Sequence, residues 1–152
     1  MNPMKTICVL VLGSLLALPA LAAGNGDPQC HAQTQADLNA CAAGSLADAD
    51  RELNATYRAV LELHADEPQF IANLKTAQRL WIQFRDAELA MKFPVAEGER
   101  PQVLYGSVYP MCRQQYLTQL TRQRTAHLRA WLEGIAEGDV CTGSLPITQD
   151  VN

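Results

Sequence analysis

The residues best suited to acid–base or metal chemistry are His31, His64 and His127, and they lie far apart in the sequence. No two are spaced to place paired imidazoles on one helical face, as a helical metal motif requires. Asp86 and Glu88 offer two neighbouring carboxylates. On a helix, residues two apart point about 200° away from each other, so this pair is badly placed to act as joint acid and base. No nucleophile elbow, phosphate loop or dinucleotide fingerprint occurs. The pattern therefore identifies no catalytic residue, no metal site and no cofactor, and the chain reads as a non-enzyme.

Cysteine is the remaining reactive type. Met1 to Ala22 has the form of a secretory signal, with Lys5, an apolar run from Ile7 to Leu18, and a small-residue end at Ala20-Leu21-Ala22. The run is too short to span a bilayer, which takes roughly 20 residues. No membrane span is expected after cleavage, and the mature protein is expected to be periplasmic or secreted. Cys8 leaves with the signal, so Cys30, Cys41, Cys112 and Cys141 remain. Four cysteines in an exported chain predict disulfides. Their spacing lacks the short pairs of a zinc site.

Removing Lys5 leaves 11 of the 12 basic residues against 16 acidic ones, a net charge of −5. A nucleic-acid binder would carry a basic footprint, so that class is set aside. A cationic protein partner is compatible with the balance.

The elements that must position these groups are helical. Residues 23–33 form an extended leader rich in Gly and Ala. Thr34 with Asp37 three residues on is a capping-box pattern. Beyond it, Leu38, Cys41, Ala42, Ala49, Leu53, Tyr57, Val60 and Leu61 recur at three- and four-residue steps, predicting a helix to about His64 that is weakest at Gly44-Ser45. Pro68 suits the first turn of a second helix. Its stripe of Phe70, Leu74, Ala77, Trp81, Phe84, Glu88 and Met91 runs until Pro94. A short connection makes these two helices antiparallel. Ser107 is a cap candidate for a third helix, whose apolar face runs from Val108 through Leu120 and Leu128 to Ile135, with Gly134 and Gly138 near its end. Residues 137–152 have little periodicity and form a tail.

The predicted fold is all-α: a small up-down-up three-helix bundle, residues 34–136, with one or more disulfides and a long loop between the second and third helices. In such a bundle the starts of the first and third helices lie side by side. Cys112 is therefore expected to pair with Cys41, or alternatively with Cys30, leaving Cys141 unassigned. An unbroken third helix rises roughly 36 Å from Cys112 to Ala136. Five further residues can return only about 18 Å, which excludes a Cys112–Cys141 bridge.

One stretch, Ala77 to Asp86, concentrates large apolar and charged side chains. The stripe places Trp81 and Phe84 in the core, with Arg79, Arg85 and Asp86 as struts around it. Glu88 and Arg124 fall on apolar stripes at different levels and are not expected to pair. Arg124 should reach the first helix or solvent. The loop from Phe93 to Gly106 carries Glu97, Gly98, Glu99 and Arg100 at its tip, and a loop of this length suits partner binding.

Three blocks also carry a resemblance. The first is Cys30, then Thr34 through Cys41, Ala47-Asp48-Ala49-Asp50, Leu53-Asn54 and Tyr57. The second is Ala77-Gln78-Arg79, Trp81-Ile82 and Phe84 through Glu88. The third is Leu120-Thr121-Arg122, Arg124-Thr125 and Leu128-Arg129. In this order they resemble the LprI-type lysozyme-inhibitor N-terminal domain family of exported, YecT-like bacterial proteins, across residues 30 to 132. The sequence departs from that family's pattern at Leu89, where the family usually has cysteine. It departs again at Glu97-Gly98-Glu99-Arg100, where the family tends to Glu-Gly-Gly-Ser. The resemblance implies an exported helical domain that inhibits a lysozyme-type glycoside hydrolase. A structural or stress-related role through another envelope protein is the alternative.

Overall fold

The computed structural model describes residues 32–136, 138 and 141–148. The signal region, most of the leader, His31 and Cys30 lie outside the described residues. Three long helices carry the fold: α1 (Gln35–Leu63), α2 (Pro68–Lys92) and α4 (Tyr109–Glu133), with a five-residue helix, α3 (Pro101–Tyr105), inside the connection before α4. A two-residue parallel pair follows, β1 (Ile135–Ala136) with β2 (Ile147–Thr148).

The start of α1 follows the capping pattern. The Asp37 amide donates to Thr34 Oγ1, and the Thr34 amide donates to Asp37 Oδ2 at 3.0 Å. These bonds satisfy amides that no helical carbonyl can reach. The Thr34 hydroxyl also donates to Asp37 Oδ2, and with these backbone bonds it holds the Asp37 carboxyl below its ordinary value of 3.8. A depressed carboxyl stabilises the fold above the unfolded-state value, and that contribution is lost as pH falls through the folded one. The thermal-stability gap between the wild type and Asp37→Asn should therefore shrink as melts are taken progressively below pH 3.8. A constant gap would show that the cap acts without its charge. Helix α1 runs through Gly44-Ser45 without a break.

Helices α1 and α4 run parallel and form the tight pair. Small buried side chains allow the approach: Ala42, Ala49 and Thr56 on one side, Thr118, Thr121 and Thr125 on the other. The Thr118 and Thr125 hydroxyls donate to carbonyls one turn back, at 2.8 and 3.0 Å. Thr121 Oγ1 is buried with no partner among the described residues. An unsatisfied buried hydroxyl costs about 1–3 kcal/mol. Thr121→Val keeps the shape and removes that group, so it should raise stability by about 1 kcal/mol in urea denaturation; a loss of stability would mean the hydroxyl has a partner.

Antiparallel to α4, α2 leans on it mainly through side chains. The shared core of Leu53, Val60, Leu74 and Leu128 lies towards the α1–α2 turn, with Phe70, Trp81, Trp131 and Leu132 against it. Farther along, α2 touches α4 only along one narrow face. This corrects the sequence expectation for the second helix. Trp81 is half-buried, whereas Phe84 is 57% exposed and Met91 69% exposed. The heptad stripe is wider than the face that one neighbouring helix can cover.

The disulfide expectation is also corrected. Cys112 is a free thiol, so it bonds neither Cys41 nor Cys30. No disulfide joins two described residues, and Cys41 is disulfide-bonded to a partner outside them. The two helix starts do lie together, but Asn39 joins them instead. Cys41, two residues on, projects about 200° around α1 from Asn39 and faces away from the junction. Helix α4 is unbroken from Tyr109 to Glu133, and no Cys112–Cys141 bridge forms. Nor is Ser107 its cap: the N-cap position is Val108, with no side-chain bond. The tail segment folds back, the Ile135 amide donating to the Pro146 carbonyl at 2.9 Å.

Candidate functional site

All three long helices bring the loop end of the bundle together. Asn39 is the fastener there. Its Oδ1 accepts the Met111 amide at 3.1 Å, and its Nδ2 donates to the Ser107 carbonyl at 3.3 Å. An α1 side chain thus satisfies an orphan amide in the first turn of α4, the task a local cap would do.

The loop leaving α2 rises from this end. Its base is aromatic. Phe93 meets Tyr105 and Tyr109 edge-on, with centroids 5.5 and 5.4 Å apart, and the two tyrosines stack at 5.6 Å. The Tyr105 hydroxyl donates to the Pro94 carbonyl at 2.7 Å, closing the segment into a ring. Above that base lie Glu97, Gly98, Glu99 and Arg100, all exposed. The Glu99 amide donates to the Ala96 carbonyl, and Gly98 turns with φ of +81°, a backbone region costly for side chains with a Cβ. Met91, Val103 and Leu104 are exposed apolar neighbours in sequence.

The motif residues do different work from one another. Arg85 donates from Nε and Nη2 to Asp86 Oδ1 and lies over the Trp81 ring, 5.4 Å from its centroid. Arg79 donates to Thr76 Oγ1. Glu88 and Asp86 diverge as their spacing requires, Glu88 accepting from the Tyr116 hydroxyl at 3.0 Å. That bond raises the Tyr116 phenol above its ordinary value, and Lys92 caps the same ring at 4.1 Å. These contacts clasp α2 to α4.

Arg124 departs from expectation. Its Nε donates to Gln78 Oε1 of α2 at 3.0 Å, not to a first-helix group. Burial lowers its guanidinium from the ordinary value, while Tyr57 of α1 opposes the shift. In the sequence Gln78 stands out only as part of the Ala77-Gln78-Arg79 block, because a neutral amide on a helix does not by itself indicate a partner. The histidines are separate. His64 is buried in the α1–α2 turn, its Nδ1 2.7 Å from Glu67 Oε1 and its ring stacked on Phe70; His127 is exposed and stacks on Trp131. No group of three or more potential metal ligands occurs among the described residues. No described helix is long and apolar enough to cross a membrane.

These features define a small helical domain that presents an ordered, charged loop from one end. Residues 27–128 match the model of the family described as Lysozyme inhibitor LprI, and the chain belongs to that family. It is 36% identical over 119 residues to an uncharacterized protein of Rhizobium meliloti (strain 1021), spanning 70% of this chain and 81% of that one. No solved structure matches it.

Proposed function

We propose that this chain is an exported inhibitor of a lysozyme-type peptidoglycan hydrolase that acts by protein–protein binding. In this reading residues 1–22 direct export to the periplasm or beyond, 23–33 are a leader, 34–136 form the helical domain and 137–152 a tail. The partner-binding residues are Glu97, Gly98, Glu99 and Arg100. The observation that carries the reading is the held loop of a family member: a charged tip on a base closed by Tyr105 and Pro94. A tip ordered before docking loses little freedom on binding. Exposed Met91, Val103 and Leu104 supply the apolar component that such interfaces need beside their charged rim. Glycosidase clefts bind polar sugars between carboxylic groups, so a polar tip of mixed charge suits them. The acidic balance of the chain favours encounter with a cationic enzyme.

Purified mature protein should slow the clearing of a peptidoglycan suspension by at least one of several lysozymes. Replacing Glu97, Glu99 and Arg100 together by alanine should weaken that inhibition at least tenfold with an unchanged melting temperature. Absence of both inhibition and binding at micromolar concentration would remove this reading. It would leave the alternative of an envelope protein that binds another envelope protein through the exposed face of α4.

A further inference from the structure

Away from the loop end, α2 and α4 part to leave a cleft of about 320 Å³. Phe70, Leu74, Ala77, Leu128 and Trp131 form most of its lining, with Asn73, His127 and Arg124 beside them. The tail segment borders it at Ser144, whose Oγ accepts from Trp131 Nε1 at 3.2 Å. We infer that this cleft binds a small monocarboxylate with an apolar body, its carboxylate seated on Arg124. The inference is independent of the inhibitor reading and concerns a different part of the molecule.

Charge complementarity selects the ligand. Arg124 is half-buried, makes no ion pair among the described residues, and spends its Nε hydrogen on a neutral amide. A guanidinium has five N–H donors in a planar fork, which fits the two oxygens of a carboxylate. A cation withdrawn from water attracts such an anion more strongly than an exposed one does. No acidic residue lines the cleft to compete for it. The apolar walls match a hydrocarbon or aromatic body and disfavour a small, fully hydrated anion. Length agrees as well: Arg124 and Trp131 are seven helical positions apart, a rise of about 10 Å that a chain of about eight carbons spans.

Octanoate, 1-octanol and octylamine, titrated calorimetrically into the full mature chain, decide the matter. Octanoate should bind saturably with Kd at or below about 1 mM, and the alcohol and amine at least tenfold more weakly. Arg124→Met should weaken octanoate binding at least tenfold. Ala77→Phe, which changes an exposed cleft position, should block it while helix content by circular dichroism is kept, so the test survives even if the arginine variant misfolds. Equal binding of octanoate and octanol, unchanged binding by Arg124→Met or Ala77→Phe, or no saturation with octanoate would each overturn the assignment.

Discussion

Replacing Leu128 by alanine should lower stability by about 3–4 kcal/mol, the largest effect expected from any single truncation in this domain. Leu128 is 1% exposed and belongs to the cluster with Leu53, Val60 and Leu74, where α1, α2 and α4 meet. Removing its branched end forfeits the transfer free energy of the buried atoms and leaves a void that the surrounding helices fill only in part. Relaxation is restricted because α1 and α4 are already in close contact through alanines and threonines, which have nothing to extend into the gap. Urea denaturation should show the midpoint falling with the slope unchanged. A cost below about 1 kcal/mol would mean that the core is centred elsewhere.

Asn39→Ala is expected to cost about 2 kcal/mol, much of it from the bonds that fasten the starts of α1 and α4. The Met111 amide, in a half-buried first turn, would lose its acceptor, and the Ser107 carbonyl its donor. A second substitution separates this from generic helix effects. Asn39→Asp keeps an acceptor facing Met111, and a carboxylate at a helix N-terminus is favoured by the backbone dipoles there. It should recover more than half of the loss in thermal melts, although the bond to Ser107 is gone. If aspartate and alanine were equally damaging, the Met111 bond would not be the important one.

Much of the fold was legible in the sequence because helix periodicity and stop signals act locally. The Thr34–Asp37 box, Pro68 and Gly134 mark helix ends that the structure keeps. What was not legible depends on neighbours. Ser107 looks like a cap for the third helix, yet Asn39, 72 residues before Met111, takes that task. Phe84 has a place on the heptad stripe, but burial there needs a second helix alongside, and α2 lacks one at that level. The stripes put Arg124 and Glu88 at different levels, and the observed partner of Arg124 is Gln78, ten residues before Glu88. The loop tip was visible from composition; the closure of its base by Tyr105 and Pro94 was not, since neither residue announces the other.

That closure has a consequence for tolerance to change. The bond from Tyr105 to Pro94 spans 11 positions and makes the intervening segment a closed lobe whose footing is fixed independently of its apex. Residues 96–100 contribute nothing to the buried core. Substitutions at the apex, and small insertions there, add only a slowly growing closure entropy. The apex can therefore be re-cut without re-engineering the helices, a division of labour in which the stability of the bundle does not depend on the residues at the loop tip.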